Sequence, residues 1–400
     1  MQKFAARTDP GKKRTHNEDA LLALAEFGVY VVADGVGGRA CGEVASALCI
    51  EAFRNAAPML RERLTAHSAQ PDLEARNAVL VAMDEVLQQA SRTIYATAET
   101  EGRTGMTTTV VAMAFGNGTG FIAHVGDSRG YLVRNGELRQ LTEDHSMVNE
   151  LVRSGKMTLS EARASRHRHV ITRAVGLYPT VQPSLATVDV LPADRFLLCS
   201  DGLSDVVGEH VLAEQGSGSD LEASAELLVL SALDRGGPDN ITVILCDPEG
   251  GGRVDEAVAR ANVLESLFLF EDMPYPARLQ VGRIMREHFF APEDALVEQD
   301  SPERAMYLVL EGQVSVRRDG LELARLGPGE HFGELSLIDG QPRSASVCAA
   351  TFGSAISISG DALEEFCRRE PELGNQLLWK LLKVMGQRLR DTNKRVVAAP

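Results

Sequence analysis

The sequence predicts an α+β protein built from two unlike domains, and three observations predict it. Short β-rich runs alternate with long helical patterns up to about residue 247, a glycine-rich break follows, and beyond it short strands are punctuated by glycines. The 400 residues are enough for more than one buried core. Apolar residues at 44% and charged residues at 24% are ordinary globular values, which excludes a fibrous or wholly disordered chain.

In chain order, residues 27–33, 108–115, 120–125, 130–134, 195–199 and 241–246 read as strands by their β-branched and apolar content. Residues 74–98 place Val79, Ala82, Met83, Val86, Leu87, Ala90 and Ile94 on one helical stripe. Several of the strands are too apolar to keep a solvated face, so other sheets or helices must cover them. The run from Asp247 to Arg253 contains one proline and three glycines and can continue neither strand nor helix, so 248–262 reads as a linker. From 288 to 358 the pattern is that of a small β-roll, with Asp319-Gly320 between apolar runs as a hairpin signal. Helical stretches at 262–288 and 361–392 flank it, the second placing Leu377, Leu378, Leu381, Leu382, Met385 and Leu389 on one face. The expected domains are 1–247 and 263–390, with a tail at 391–400.

A formal charge of −15 argues against a nucleic-acid partner, because displacing counterions from phosphates takes a positive face. Six scattered cysteines without a CxxC pair fit a reduced compartment. Basic residues near Met1 are followed by no signal-peptide core, and no run approaches the roughly eighteen apolar residues of a membrane span. A soluble, cytoplasmic protein with no membrane partner is the expectation.

Acidic residues gather at the ends of the expected strands: Asn17-Glu18-Asp19, Asp34-Gly35 after Val31-Val32-Ala33, Asp201-Gly202 after Leu198-Cys199, and Pro238-Asp239-Asn240 before Ile241. Asp127 lies between two strands in Val125-Gly126-Asp127-Ser128-Arg129. Carboxylates projected from one sheet edge converge and repel unless cations neutralise them, and all-oxygen ligation suits Mg²⁺ or Mn²⁺. A glycine after each aspartate lets a backbone carbonyl turn onto a metal. Two such ions about 3.5–4 Å apart make hydroxide available near neutral pH. Arg14 supplies a planar fork for phosphate oxygens. Taken singly, an Asp-Gly is usually just a turn, and Asp127-Ser128 can simply cap backbone groups.

The ordered series R-x-x-N-E-D, V-A-D-G-V-G-G…G-E-x-A-S, T-G-M-T-T-T, H-V-G-D-S-R, L-T-E-D-H-S, I-T-R-A-V-G, L-L-C-S-D-G-L and G-G-P-D-N-I-T-V resembles the metal-dependent protein serine/threonine phosphatase family over residues 1–247. The resemblance implies a β-sandwich flanked by helices with a binuclear centre at one end. By that likeness Asp34 bridges two metals, the Gly35 carbonyl helps one, Asp201 and Asp239 complete the first metal's ligands and Glu18 serves the second. Asp19 supports them from behind, Asp127 with Asp201 and Asp205 matches a weaker third-metal site, and Arg14 grips the substrate phosphate. Residues 142–180 correspond to a flap beside the cleft. Some members carry a histidine after the Asp-Gly pair; this chain has Val36. His145, His167 and His169 read as surface or flap residues, and the basic run Arg163 to Arg173 as a solvated flap face.

In the second part, Phe332-Gly333-Glu334-Leu335-Ser336-Leu337 followed by Pro342-Arg343-Ser344-Ala345-Ser346-Val347 opens a short helix near Gly333, with Arg343 able to return over it and meet a phosphate. Glu334, an acceptor beside that place, suits a ribose hydroxyl. The pattern resembles the phosphate-binding cassette of cyclic-nucleotide-binding domains over about 263–390. It implies that Arg343 and Ser344 hold the cyclic phosphate, Glu334 holds the 2′-hydroxyl, and Gly333 and Leu335 give backbone contacts, with cAMP favoured over cGMP. The full expectation is a fold of a helix-flanked β-sandwich followed by a β-roll with flanking helices. Its function would be hydrolysis of phosphoserine and phosphothreonine on proteins with two or three Mn²⁺ or Mg²⁺ ions, under cyclic-nucleotide control. Phosphoproteins are the implied partners, with a serine/threonine kinase or its targets as candidates. The rival is a non-catalytic pseudophosphatase scaffold that senses the nucleotide and binds a partner.

Overall fold

The structure is a computed structural model and describes residues 2–36, 41–70, 72–103, 105–248 and 268–398, with the backbone alone at 159, 163, 388 and 391–398. The chain divides into two compact units, 1–254 and 255–400. Among the described residues no helix is long and apolar enough to cross a membrane.

The first unit holds two antiparallel sheets. One runs β2 (Asp19–Leu24), β3 (Val29–Val36), β5 (Val110–Gly116), β6 (Thr119–Val125), β9 (Ser184–Asp189), with β4 (Thr107–Thr108) on the end of β3. The other runs β1 (Lys3–Asp9), β11 (Ile241–Asp247), β10 (Arg195–Cys199), β7 (Arg129–Arg134), β8 (Glu137–Gln140). Side chains alternate between two covered faces, as strand geometry requires. Val29, Val31 and Ala33 face α1 (Gly42–Ala69) and α2 (Leu73–Glu101), packing with Phe53, Leu60, Met83 and Leu87. Tyr30 points the other way, onto Phe115, whose ring meets Phe196 of the second sheet at 4.8 Å. The second sheet's outer face, with Leu197, Cys199, Val243 and Leu245, is covered by α6 (Glu209–Gly216) and α7 (Leu221–Asp234), which follow the single turn α5 (Asp201–Ser204). The result is a helix–sheet–sheet–helix stack, which is why these strands carry few polar residues.

The pairing registers bring the acidic motifs to one end. Asp19 lies opposite Asp34, Val110 opposite Val125, Cys199 opposite both Arg129 and Val243, and Asp9 opposite Ile241. Every strand terminus that carries an acidic motif therefore opens at the same end of the sandwich. Beside it lies a segment with two short helices, α3 (Met147–Arg153) and α4 (Leu159–Ala164), the second closed by a Thr158–Glu161 capping box.

The second unit packs two four-stranded antiparallel sheets. They run β12 (Arg286–Phe290), β19 (Gly353–Ser359), β14 (Ala305–Glu311), β17 (His331–Phe332), and β13 (Ala295–Val297), β18 (Ser346–Ala349), β15 (Val314–Arg318), β16 (Leu321–Leu326). The β15–β16 turn has φ of 51° at Asp319 and 83° at Gly320, the two left-handed residues that a tight hairpin needs. The helices are α8 (Tyr275–Gly282), α9 (Glu334–Asp339), α10 (Gly360–Arg369) and α11 (Pro371–Ala398).

Four expectations are corrected. The helical stretch 262–288 is a 3₁₀ turn (Phe268–Phe270) and α8, and from Arg286 the chain is a strand, because pairing with β19 overrides local preference; residues 262–267, with most of the expected linker, lie outside the described residues. The helix 361–392 is two helices, broken where Pro371 holds Glu370 out of the helical region and then starts α11. That helix continues to Ala398, past the expected end at 392. Its apolar stripe is divided: Leu377 and Leu381 are buried, whereas Leu378, Leu382 and Leu389 are exposed.

Candidate metal centre and anion site

Asp34 sits where β3 leaves the sheet, and its backbone is pinned before its side chain does anything. Its carbonyl accepts from Thr109 N–H and Thr108 Oγ1, each at 2.8 Å, which gives the Thr-Thr run its purpose. Gly35 donates to Glu18 O at 3.1 Å, and a Cβ there would overlap the Gly42 carbonyl, so the chain approaches too closely for any other residue. Ser46 Oγ donates to the same Glu18 carbonyl at 2.6 Å. Gly202 is constrained likewise, against the Asn240 carbonyl.

The two sheets are joined at this end by side chains. Ser200 Oγ donates to Asp19 Oδ2 at 2.7 Å and accepts from Thr242 N–H at 3.0 Å. Arg14 Nη2 donates to Asp239 Oδ2 at 2.8 Å. Asn240 was given no role by sequence reasoning, yet it clamps the 10–18 segment. Its Oδ1 accepts from Glu18 N–H at 2.8 Å, and its Nδ2 donates to Pro10 O at 3.0 Å and His16 O at 2.9 Å. A signal was available: an amide flanking an acidic residue at a strand start, where four hydrogen-bonding groups need partners.

Charge accumulates here. Burial, then the charges of Asp19, Asp201 and Asp127, push the Asp34 carboxyl well above its usual range. Asp201 is pushed up by burial and by Asp127, Asp205 and Asp239. Burial raises Asp127 to about 7, helped by Asp144 and Asp205, and Asp19 to about 6. Glu18 rises for the same first reason, while the Asp239 bond holds the Arg14 guanidinium charged. Asp19 Oδ1 and Asp201 Oδ1 are buried without a hydrogen-bond partner. Orphaned carboxylate oxygens among mutually repelling acids are what hard divalent cations relieve, so the donor set fits Mn²⁺ or Mg²⁺.

The flap is tied down by Arg129, whose Nε and Nη2 both bond the Asp144 carboxylate, at 2.9 and 2.6 Å. His145 corrects the surface reading: it is buried, its ring lies 4.6 Å from that of His124, Nδ1 accepts from Gly126 N–H at 3.1 Å and Nε2 lies 2.9 Å from Ser184 Oγ. His169 is exposed, as expected of a flap residue, but its Nδ1 lies 3.0 Å from Asp205 Oδ2. Ligand atoms of His169, Asp201 and Asp205 lie within 4.8 Å of one another, so a nitrogen joins two of the three carboxylates of the expected third site, Asp127 lying outside that group.

In the second unit Gly333 has φ of 82°, and a Cβ there would overlap the Arg343 guanidinium. Arg343 is buried against α9, whose Glu334 and Ser336 are buried too, while Leu335 and Ser344 are exposed. The structure thus gathers Gly333, Glu334 and Arg343 at one place, with Ser344 beside Arg343 in the chain.

Residues 11–231 match the sequence model described as protein phosphatase 2C, and residues 287–370 match that of the cyclic nucleotide-binding domain. The chain is 40% identical over 247 residues to the serine/threonine protein phosphatase PstP of Mycobacterium tuberculosis, covering 61% of this chain and 45% of that protein. It thus spans less than half of that relative's length. It is 36% identical to the serine/threonine phosphatase stp of Listeria monocytogenes, covering 60% of this chain and 94% of that protein. The crystal structure of the M. tuberculosis phosphatase PstP/Ppp is similar at a TM-score of 0.55 and 38% identity, covering 62% of this chain and 99% of that one. That of the PstP catalytic domain in complex with two manganese ions is similar at 0.53 and 38%, covering 62% and 97%.

Proposed function

Because the chain belongs to the protein phosphatase 2C family and carries a cyclic nucleotide-binding domain, we propose that it hydrolyses phosphoserine and phosphothreonine on proteins with divalent cations, under control of a cyclic nucleotide. The observation that carries the first half is the convergence of Asp34, Asp201 and Asp239 at one sandwich end, where the Asp34 and Asp201 carboxyls are pushed up and Asp19 and Asp201 each keep a buried oxygen without a hydrogen-bond partner. Asp34, Asp201 and Asp239 would hold one cation, Glu18 and Asp34 the other, the Gly35 carbonyl would help one of the two, and Asp127, Asp201 and Asp205 would serve a third. When bound, the cations supply an activated water and neutralise charge on the phosphoryl group.

The chain's own residues do the rest. Asp239 fixes one nitrogen of Arg14, and the half-exposed guanidinium turns its remaining N–H groups to the substrate phosphate. Asn240 holds the Arg14–Glu18 segment in register, so phosphate grip and ligand position move together. Val36 is 40% exposed and carries no titratable group, so it is not the group that gives a proton to the departing seryl oxygen as the P–O bond breaks. The buried acids speak against the scaffold reading, since a scaffold has no use for converging charges that cost stability.

For the second half, Arg343 is a buried cation with an unfilled edge, suited to a cyclic phosphate, and Glu334 beside it suits a ribose hydroxyl. cAMP is the favoured ligand, and a serine/threonine kinase or its targets are the candidate phosphoproteins. The test is turnover of p-nitrophenyl phosphate and of a phosphothreonine peptide by the full chain with Mn²⁺, titrated with cAMP and cGMP. Absence of metal-dependent turnover overturns the catalytic reading, and turnover indifferent to both nucleotides overturns the regulatory one.

A further inference from the structure

Arg343 is satisfied on one side only. Its Nη1 donates to Ala305 O at 2.6 Å, Ser336 Oγ at 2.8 Å and Gly333 O at 3.1 Å, which pins the guanidinium in place. Nε and Nη2 form the side-on edge that grips carboxylates and phosphates, and both are buried without a hydrogen bond. Facing that edge is Glu303, its Oε2 at 3.5 Å from Nη2. The two side chains differ in freedom: that of Arg343 is 2% exposed and that of Glu303 is 50% exposed. Glu303 Oε1 accepts from Tyr307 Oη at 3.0 Å, and the Tyr307 ring lies 5.9 Å from the guanidinium carbon.

We propose that Glu303 is an internal stand-in for the ligand anion, a carboxylate poised at the open edge of Arg343 that an incoming nucleotide phosphate must displace. This rests on the reading that the second domain binds a cyclic nucleotide. A phosphate docked side-on to Nε and Nη2 brings its charge beside the Glu303 carboxylate, and like charges there repel. Arg343 cannot follow the carboxylate outward, because Nη1 is held by three acceptors; Glu303 can swing into water at the loss of one tyrosyl hydrogen bond. A pair built for stability would be bidentate and bonded, whereas this one leaves both N–H groups of the edge unbonded. Glu303 therefore tunes affinity and keeps weaker anions out.

The test is calorimetric titration of the full chain with cAMP and cGMP in low salt, for the native protein, Glu303→Gln and Arg343→Gln. Glu303→Gln is expected to bind roughly two- to fivefold tighter, the range for one partly exposed charge. The gain should shrink as salt is raised, which a merely structural role would not produce. Detectable binding in Glu303→Gln alone would also support the proposal. Equal or weaker binding by Glu303→Gln, or a gain indifferent to salt, overturns it, while loss of binding in Arg343→Gln leaves the nucleotide reading standing. No binding by the native chain or by Glu303→Gln overturns both.

Discussion

At one end of the first domain, Asp34, Asp201 and Asp127 are half-buried acids whose carboxyls are driven upward by desolvation and then by neighbouring acidic charges. In the second domain the buried charge has the opposite sign: Arg343 sits among neutral acceptors, with a half-exposed carboxylate at its open edge. Among the described residues Arg14 bonds Asp239 at the rim and Arg129 acts on Asp127, yet the acids still raise one another; the arginine of the second domain is satisfied on one side only and keeps its own anion at arm's length. The difference teaches that a buried charge the chain leaves unmet reveals the sign of what it binds, and that the degree of unmet need sets how strongly binding feeds back on stability.

The sharpest way to break this comparison is to remove one acid. Asp34→Asn or Asp239→Asn should lower Mn²⁺-dependent turnover of p-nitrophenyl phosphate by about 10²–10³-fold or more. Asp34→Asn should also raise the melting temperature in EDTA, because one repelling charge is gone. A variant that loses turnover and stability together in EDTA would mean that the acids are structural.

The matching change in the second domain is Arg343→Gln, expected to cost about 2–5 kcal/mol of nucleotide binding by calorimetry. It should leave metal-free melting of the first domain unmoved. A shift there would merge two charge systems that are otherwise distinct.

His124 sharpens the first side through pH. Burial lowers its ring to about 4 from an ordinary 6.5, so the folded state holds it neutral. The facing groups include the His145 ring and the charges of Asp144 and Arg173. With the folded value depressed, the contribution is complete above about 6.5 and is lost as pH falls towards 4, about 3 kcal/mol in all. Urea unfolding at pH 7 and pH 4.5 should show a smaller loss in His124→Asn than in the native chain.

The smallest effect expected is that of Asn240→Ala, about 2 kcal/mol of stability for its lost hydrogen bonds. Its diagnostic is kinetic: KM for the phosphopeptide should rise with Arg14 and Glu18 loosened, and an unchanged KM would deny the clamp any part in substrate grip.

How much of this was legible varies by residue. The strands at 195–199 and 241–246 were legible because runs covered on both faces have no polar alternation to blur them. β1 and β2 were not, since Lys3, Arg7 and Asp19 interrupt their patterns and their stability comes from pairing with β11 and β3. α1 carries Ala45, Cys49, Phe53, Leu60 and Leu64 on its buried side, a stripe that was available and unused. The acids that converge could be picked out because a carboxylate at a strand end is a local pattern. The hydroxyls that hold them, those of Ser46, Thr108 and Ser200, could not, because a hydroxyl bonding a distant group leaves no local pattern.

By itself the sequence determined which residues can carry charge chemistry, where strands covered on both faces run, and where a turn such as Asp319-Gly320 must bend, because those are properties of short stretches of chain. Tertiary structure alone decided that five separated acidic segments open at one end of a sandwich, that His145 turns inward against His124, and that Glu303 faces Arg343 across forty residues of sequence. The reason is physical: register and packing are settled by what pairs across the fold, and an electrostatic field depends on distances in space rather than on order along the chain.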